Sequence, residues 1–284
     1  MTKIAVLLTT FNRKDKTITC LQSLKVQKLP ADVHIDIYLT DDASADDTVD
    51  AVKGIFPDSY ILHGTGQLFW AGGMRNSWNE ARKGNYDYYL LLNDDTTLID
   101  NAVANLLACS KEVLAQKQTH CVCIGSTQDV FTGGISYGGK KLTSRYYLKS
   151  ALVYDNDDYQ KCDLGNANIM LVPDVIVKSV GILSDHYTHG IADYDYTLKV
   201  KKAGFEVIVA PAVLGYCTDD HGKSWKSQTS RLSDRIKYLK SPKGLAYKEY
   251  LLFIKTHFPL YYPFAFTKLW MKTLLPVLWQ VFKK

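Results

Sequence analysis

Apolar residues in the first half of the chain fall into short dense runs, each broken by a polar loop. "KIAVLLTT" and "DYYLLLN" are nearly continuous apolar stretches, which suits strands buried on both faces. "VHIDIYLT" alternates apolar and polar positions and is rich in β-branched residues, a second strand signature. Between these runs the spacing predicts helices near residues 16–27, 48–54, 71–84 and 99–115, with "SYILHG" as a further short strand. The third helix opens on glycines and closes on Gly84, a common stop. Strands alternating with helices predict an α/β fold with a mostly parallel sheet covered by helices.

The second half is less regular. Residues 127–160, with "FTGGISYGGKK", predict an irregular hairpin or flap. "LGNANIMLVP" turns from small polar residues to apolar ones, and Pro173 is placed at the start of a helix over "PDVIVKSVG". "GIADYDYTLKVKKAG" reads as a helix stopped by Gly204, followed by a last core strand, "FEVIVAP".

In parallel α/β sheets, ligands bind beyond the carboxyl ends of the strands. Three polar clusters fall there: "TTFNR" (9–13), "DDAS" (41–44) and "NDDT" (93–96). Adjacent carboxylates repel, so a buried pair needs a cation. Mg²⁺ characteristically takes one or two carboxylates plus phosphate oxygens. A nucleotide diphosphate is itself anionic, so acids facing it make sense through a metal. Taken singly, Asp94–Asp95 also suits a solvated turn, and Asp41–Asp42 a helix N-cap; their recurrence at strand ends favours a site.

"LLTTFNR", "LTDDASADDT" and "LLLNDDT" together resemble the family 2 inverting glycosyltransferases of the GT-A fold, over roughly residues 3–225. The resemblance implies that Thr9, Phe11, Asn12 and Arg13 line the base and ribose pocket, and that Asp41 or Asp42 accepts a hydrogen bond from the base. It sets Asp94 near ribose and phosphates and makes Asp95 the main metal ligand, with Asn93 where an acidic triplet usually begins. "GTGQLFWAGGMRN" resembles the donor-side loop of members acting on bacterial surface polysaccharides. There Gly72, Gly73 and Asn76 would adjoin the donor and Trp70 would stack on a sugar ring, core packing being the alternative for Trp70. In "ADYDYTLK", aligned on the family's EDxDLxxR, Asp193 takes the place of the catalytic base; Ala192 and Lys199 replace the usual Glu and Arg. Asp193 and Asp195 are two apart on a helix and so point in different directions. An Asp near its reference pKa is ionised and ready at neutral pH; His186 and His189 are rival bases. His221 in "CTDDHGKSW" resembles a metal-binding His, a surface His being the alternative. Asn166, Asp195 and Trp225 are candidate acceptor contacts.

Composition narrows the class. With 46% apolar and 22% charged residues in 284, the chain is an ordinary globular one. Six cysteines without CxxC spacing predict reduced thiols and neither a zinc site nor a disulfide framework. Cys121 and Cys123 should share one face of a strand. The apolar start is too short for a signal peptide. From Gly222 onward, thirteen Lys and Arg face only Asp234 and Glu249, so the tail is basic while the body is slightly acidic. Residues 258–284 are aromatic-rich but interrupted by Pro and Lys, unlike a spanning helix and suited to a membrane interface. A helical hairpin on the core or on a second subunit is the other possibility.

The expectation is therefore a GT-A transferase domain, 1–225, with a basic helical extension, 226–284. It would act at the inner face of the cell membrane, use Mn²⁺ or Mg²⁺, take a UDP- or dTDP-sugar and glycosylate a saccharide, free or lipid-linked. Nucleic acid is not expected as a partner; a homo-oligomer is possible, its state left open by the sequence. A sugar nucleotidyltransferase, or a silent glycan-binding scaffold, are the competing readings.

Overall fold

The computed structural model describes residues 1–144, 146–218 and 231–276. The first half alternates as the pattern requires: β1 (Thr2–Thr10), α1 (Lys14–Lys25), β2 (Val33–Asp41), α2 (Thr48–Ile55), β3 (Tyr60–His63), α3 (Phe69–Ala81), β4 (Tyr88–Leu92), β5 (Thr97–Leu98), α4 (Ala102–Lys117) and β6 (Cys121–Gln128). Short strands follow: β7 (Ile135–Tyr137), β8 (Gly139–Leu142), β9 (Ser150–Val153), β10 (Gln160–Lys161) and β11 (Leu164–Gly165). Then come β12 (Ile169–Pro173), α5 (Asp174–Val180), α6 (Ala192–Lys202) and β13 (Glu206–Tyr216). The extension holds α7 (Leu232–Lys240), α8 (Tyr247–His257), a 3₁₀ turn (Pro259–Tyr261) and α9 (Tyr262–Leu274).

The main sheet runs β10-β13-β6-β12-β4-β1-β2-β3. β1, β2, β3 and β4 are mutually parallel, as are β6 and β13. β12 sits between β4 and β6, antiparallel to both. Six strands therefore point their carboxyl ends to one rim, and β12 brings the chain back from it. A second, antiparallel sheet, β11-β8-β9, accounts for much of the stretch expected as a flap.

The central strands β1, β4, β6 and β12 bury both faces, and the period of two sorts their side chains. Ile4, Val6 and Leu8 meet α1, α2 and α4 through Leu21, Leu24, Val52, Val103 and Leu106. Ala5 and Leu7 belong to the opposite core with Met74 and Trp78 of α3 and Tyr196 of α6. The extension joins that second core: Leu239, Leu251, Phe253, Ile254, Phe258, Tyr261, Ala265 and Leu269 are all buried in it. The described part of the extension, 231–276, thus packs as helices on the protein's own core. No helix of the described residues is long and apolar enough to cross a membrane.

Local differences from the sequence reading have simple causes. Pro173 closes β12 and caps α5 rather than opening it. α3 starts at Phe69, two residues before the expected start at Ala71, because Asp42 takes the Leu68 and Phe69 amides (2.9 and 3.2 Å) and so caps the helix from another loop. β13 runs on to Tyr216 across shifts of register near Ala212. All six cysteines are buried and free, and the Cys121 and Cys123 sulfurs lie 3.8 Å apart on one face.

Candidate active site at the carboxyl rim

The three polar clusters meet at the carboxyl ends of β1, β2 and β4. β1 and β2 pair from Thr2↔Val33 to Thr10↔Asp41, and β4 flanks β1 on the other side. The loops are then tied across. Asn12, at φ 52°, donates its amide to Ser44 Oγ (2.9 Å) and accepts from the Ala45 amide (2.7 Å). Asn12 is thus a stitch between the first two loops, and Phe11 beside it is exposed.

Asp41 and Asp42 divide their work. Asp42 accepts three backbone amides, from Gly66 (2.7 Å), Leu68 and Phe69, and folds the β3–α3 loop around itself. A Cβ at Gly64 would collide with Asp42, so only glycine fits there. Asp41 accepts the Ser44 amide (3.1 Å) on one oxygen, while Oδ1 is buried with no hydrogen-bond partner. Of the two, Asp41 retains acceptor capacity.

Arg13 reaches from the start of α1 to both rim carboxylates, Nη1 to Asp94 (3.1 Å) and Nη2 to Asp95 (2.6 Å). Those side chains are 7% and 15% exposed. Burial pushes the Asp94 carboxyl up to about 6; the Arg13 charge works against that and Asp95 adds to it. Asp94 Oδ2 is buried without a hydrogen-bond partner. Two oxygens-only donors, one with an unused lone pair and both already facing a cation, fit a hard divalent metal. Among the described residues no group of three or more His, Cys, Asp or Glu could hold a metal ion. The protein's share would be Asp94 and Asp95, with diphosphate oxygens supplying others. His221 and Trp225 lie outside the described residues.

Trp70 is fixed at this loop: its indole N–H donates to Asn93 Oδ1 (2.8 Å). The glycines of α3 serve packing. Gly73 is where the helix presses on β1, and a Cβ there would run into Thr9; Gly72 is buried one position earlier. Both lie inside the first turns of the helix. Asn76 points to Thr40 Oγ1 (3.4 Å).

Asp193 sits in the first turn of α6, buried. Its Oδ1 accepts the Tyr194 amide (2.8 Å), and its Oδ2 lies 3.3 Å from the Ala167 amide and 3.4 Å from Asn166 Nδ2. Burial raises its pKa above the ordinary Asp value, opposed by those amides and by Lys140, so the sequence expectation of a reference-like group is corrected. The same segment connects Asp193 to the rim acids: the Asn168 carbonyl accepts the Asn93 amide (3.1 Å), and the Asn168 side chain contacts Cys217, whose sulfur is 3.7 Å from Asp95. Asp195, expected near an acceptor, is instead 2% exposed and faces Tyr187, Lys199 and His257.

Residues 5–143 match the family model for glycosyl transferase family 2. Over that segment, just under half of its length, the chain is a glycosyl transferase family 2 sequence. Similar solved structures agree on the GT-A fold. S. aureus TarS superposes with TM-score 0.55 at 14% identity, covering 96% of this chain, which spans about half (48%) of TarS. TarS 1-349 in complex with UDP-GlcNAc gives 0.56 at 14%, covering 96% and 80%. The mannosyltransferase PcManGT from Pyrobaculum calidifontis, in complex with GDP-Man and Mn²⁺, gives 0.55 at 13%, covering 96% and 70%. No curated protein matches the sequence.

Several residues of this candidate site escaped the sequence reading. Lys140 comes from β8 and rests over the Tyr194 ring at 5.6 Å, next in sequence to Asp193. Asn168 and Cys217 join the acid loop to β12 and β13. The "GNAN" run flagged Asn166, but only the return of β12 beside β4 shows why Asn168 matters. Ile191 holds φ 87°, costly for a β-branched residue at about 1–3 kcal/mol.

Proposed function

We propose that this family 2 transferase moves a hexose, with inversion, from a UDP- or dTDP-sugar to a hydroxyl of a lipid-linked saccharide in cell-surface polysaccharide synthesis. The observation that carries the reading is the buried Asp193 carboxylate linked through residues 166–168 to the Asp94–Asp95 loop. One group can take a proton while the other faces a leaving anion. Thr9, Phe11, Asn12 and Arg13 border the nucleoside, and Asp41 Oδ1, which lacks a partner, accepts from the base. Trp70, locked to Asn93, borders the sugar, and Asn166 the acceptor.

In the reaction, the acceptor hydroxyl attacks the anomeric carbon from the side opposite the diphosphate. Asp193 removes the hydroxyl proton as the new C–O bond forms. The bond to the diphosphate breaks, and its electron pair leaves with that group. Mn²⁺ or Mg²⁺, held by Asp95 with Asp94, would neutralise the charge on the leaving diphosphate. Arg13 already spans these carboxylates and would adjust when the donor enters. No nucleophilic side chain is needed, since no covalent intermediate forms.

The extension is proposed to rest on the inner face of the cell membrane. Leu260 is 74% and Phe264 56% exposed, and the basic tail suits anionic headgroups.

A panel of UDP-, dTDP- and GDP-sugars, screened by thermal shift with Mn²⁺ and then for release of nucleoside diphosphate, tests the reaction. One sugar nucleotide should raise Tm and turn over with a saccharide acceptor. Absence of binding and release across the panel would remove the proposal.

A further inference from the structure

The segment that ends in Asp193 is gripped from two sides, and the second grip comes from the C-terminal extension. On one side α3 holds it. Arg75 Nη1 donates to the carbonyls of Ser184 (2.8 Å) and Tyr187 (2.7 Å), and the Ala71 amide to that of Thr188 (3.1 Å). On the other side α8 attaches at both of its ends. Glu249, in the first turn, accepts the Thr188 hydroxyl (2.6 Å) and amide (3.1 Å). His257, the last residue, places Nε2 2.8 Å from Asp195 Oδ1. Lys199 lies 2.9 Å from the other Asp195 oxygen, and the Tyr187 hydroxyl 3.4 Å from the first.

Between the two attachments stands Ile191 in the left-handed region, a conformation kept only where surroundings over-determine it. Asp193 follows two residues later, and Asp195 two after that. The Asp195 amide in turn bonds the Ile191 carbonyl (2.8 Å), closing the turn. Attachment of α8 to the protein does not require these polar bonds, because Leu251, Phe253 and Ile254 already bury its apolar face. Buried polar contacts are a weak source of stability, and here their role is to hold one backbone geometry. Neither Glu249 nor His257 is bonded to Asp193; both act on the backbone that carries it.

We infer that α8 is a positioning element for the transfer reaction: Glu249 and His257 hold residues 187–195 so that Asp193 meets the acceptor hydroxyl. The inference rests on the reading of Asp193 as the base. A displacement of about 1 Å at such a group can lower turnover by roughly 10²-fold.

The test uses the full-length protein and its variants His257→Ala, His257→Gln and Glu249→Gln. Amide exchange is followed on peptides covering residues 186–196. With the sugar nucleotide that turns over in the panel, kcat and donor KM are also measured. His257→Ala and Glu249→Gln should speed exchange of 187–195 while leaving β1 and β4 protected. They should lower kcat by about tenfold or more with donor KM within about twofold, the pattern of an interaction used in the transition state. His257→Gln, whose amide can donate to Asp195, should recover most of the rate. It also carries the comparison if the alanine variant does not fold. Unchanged exchange in the variants overturns the grip, whatever the enzymology. Faster exchange with unchanged kcat overturns the positioning role. A wild type that turns over nothing removes the reaction and this role together, while exchange still decides whether the grip exists.

Discussion

Asp193 carries its charge where burial penalises it, and that decides how the site should respond to pH. Its pKa is raised above the ordinary Asp value of about 3.9. The working form is the ionised one, so kcat should fall as pH drops through that raised value and level off above it. A kcat profile still flat at pH 4 would contradict this. Asp193→Asn cannot accept the proton and should lower kcat by about 10²-fold or more while UDP still binds. Near-wild-type turnover would remove Asp193 from the role. The rim acids answer a different measurement. Asp95→Ala should abolish the Mn²⁺-dependent part of UDP binding in calorimetry, whereas Asp193→Asn should leave it. At this scale the sequence showed which residues carry charge at strand ends but not how each charge is balanced. That Asp42 is saturated by three amides, and Asp41 is not, depends on a loop more than twenty residues away.

Elements place these groups by close packing. α3 lies against β1 at Gly73, where any side chain would meet Thr9. Gly73→Ala should cost about 1–3 kcal/mol through overpacking, seen as a lower Tm in calorimetry, and an unchanged Tm would deny the tight approach. The helices and strands of the first half were legible because each buries a regular face. The stretch 127–160 was not, because its short strands pair locally and bury little of their own. α8 was opaque for another reason: nothing near "YKEYLLFIKTH" indicates that Glu249 and His257 answer Thr188 and Asp195.

For the molecule as a whole, one continuous core joins the sheet, α3, α6 and the extension. Removing residues 258–284 would strip Phe258, Tyr261, Ala265 and Leu269 from that core, so deletion would test stability rather than membrane binding. Exposed residues are the better probe. Replacing Leu260 and Phe264 by Asp should weaken co-sedimentation with anionic vesicles by tenfold or more, since each buried apolar side chain is worth about 1.5–3 kcal/mol. Unchanged sedimentation would assign that face to another partner. The rim is also a property of the whole: six parallel strands end there, and β12 returns between β4 and β6 carrying residues 166–168 back to the acids.

The amino-acid order alone settled the class of fold and gathered the candidate acids at the ends of the strands, because burial on both faces of a strand dictates apolar runs and charge can gather only where those runs end. Tertiary structure decided which carboxylates stay unsatisfied, what bends the backbone at Ile191, and that the helices of 232–274 are part of the core. Those outcomes depend on contacts between positions far apart in the chain, and a pattern read along one dimension carries no information about which distant residues will meet.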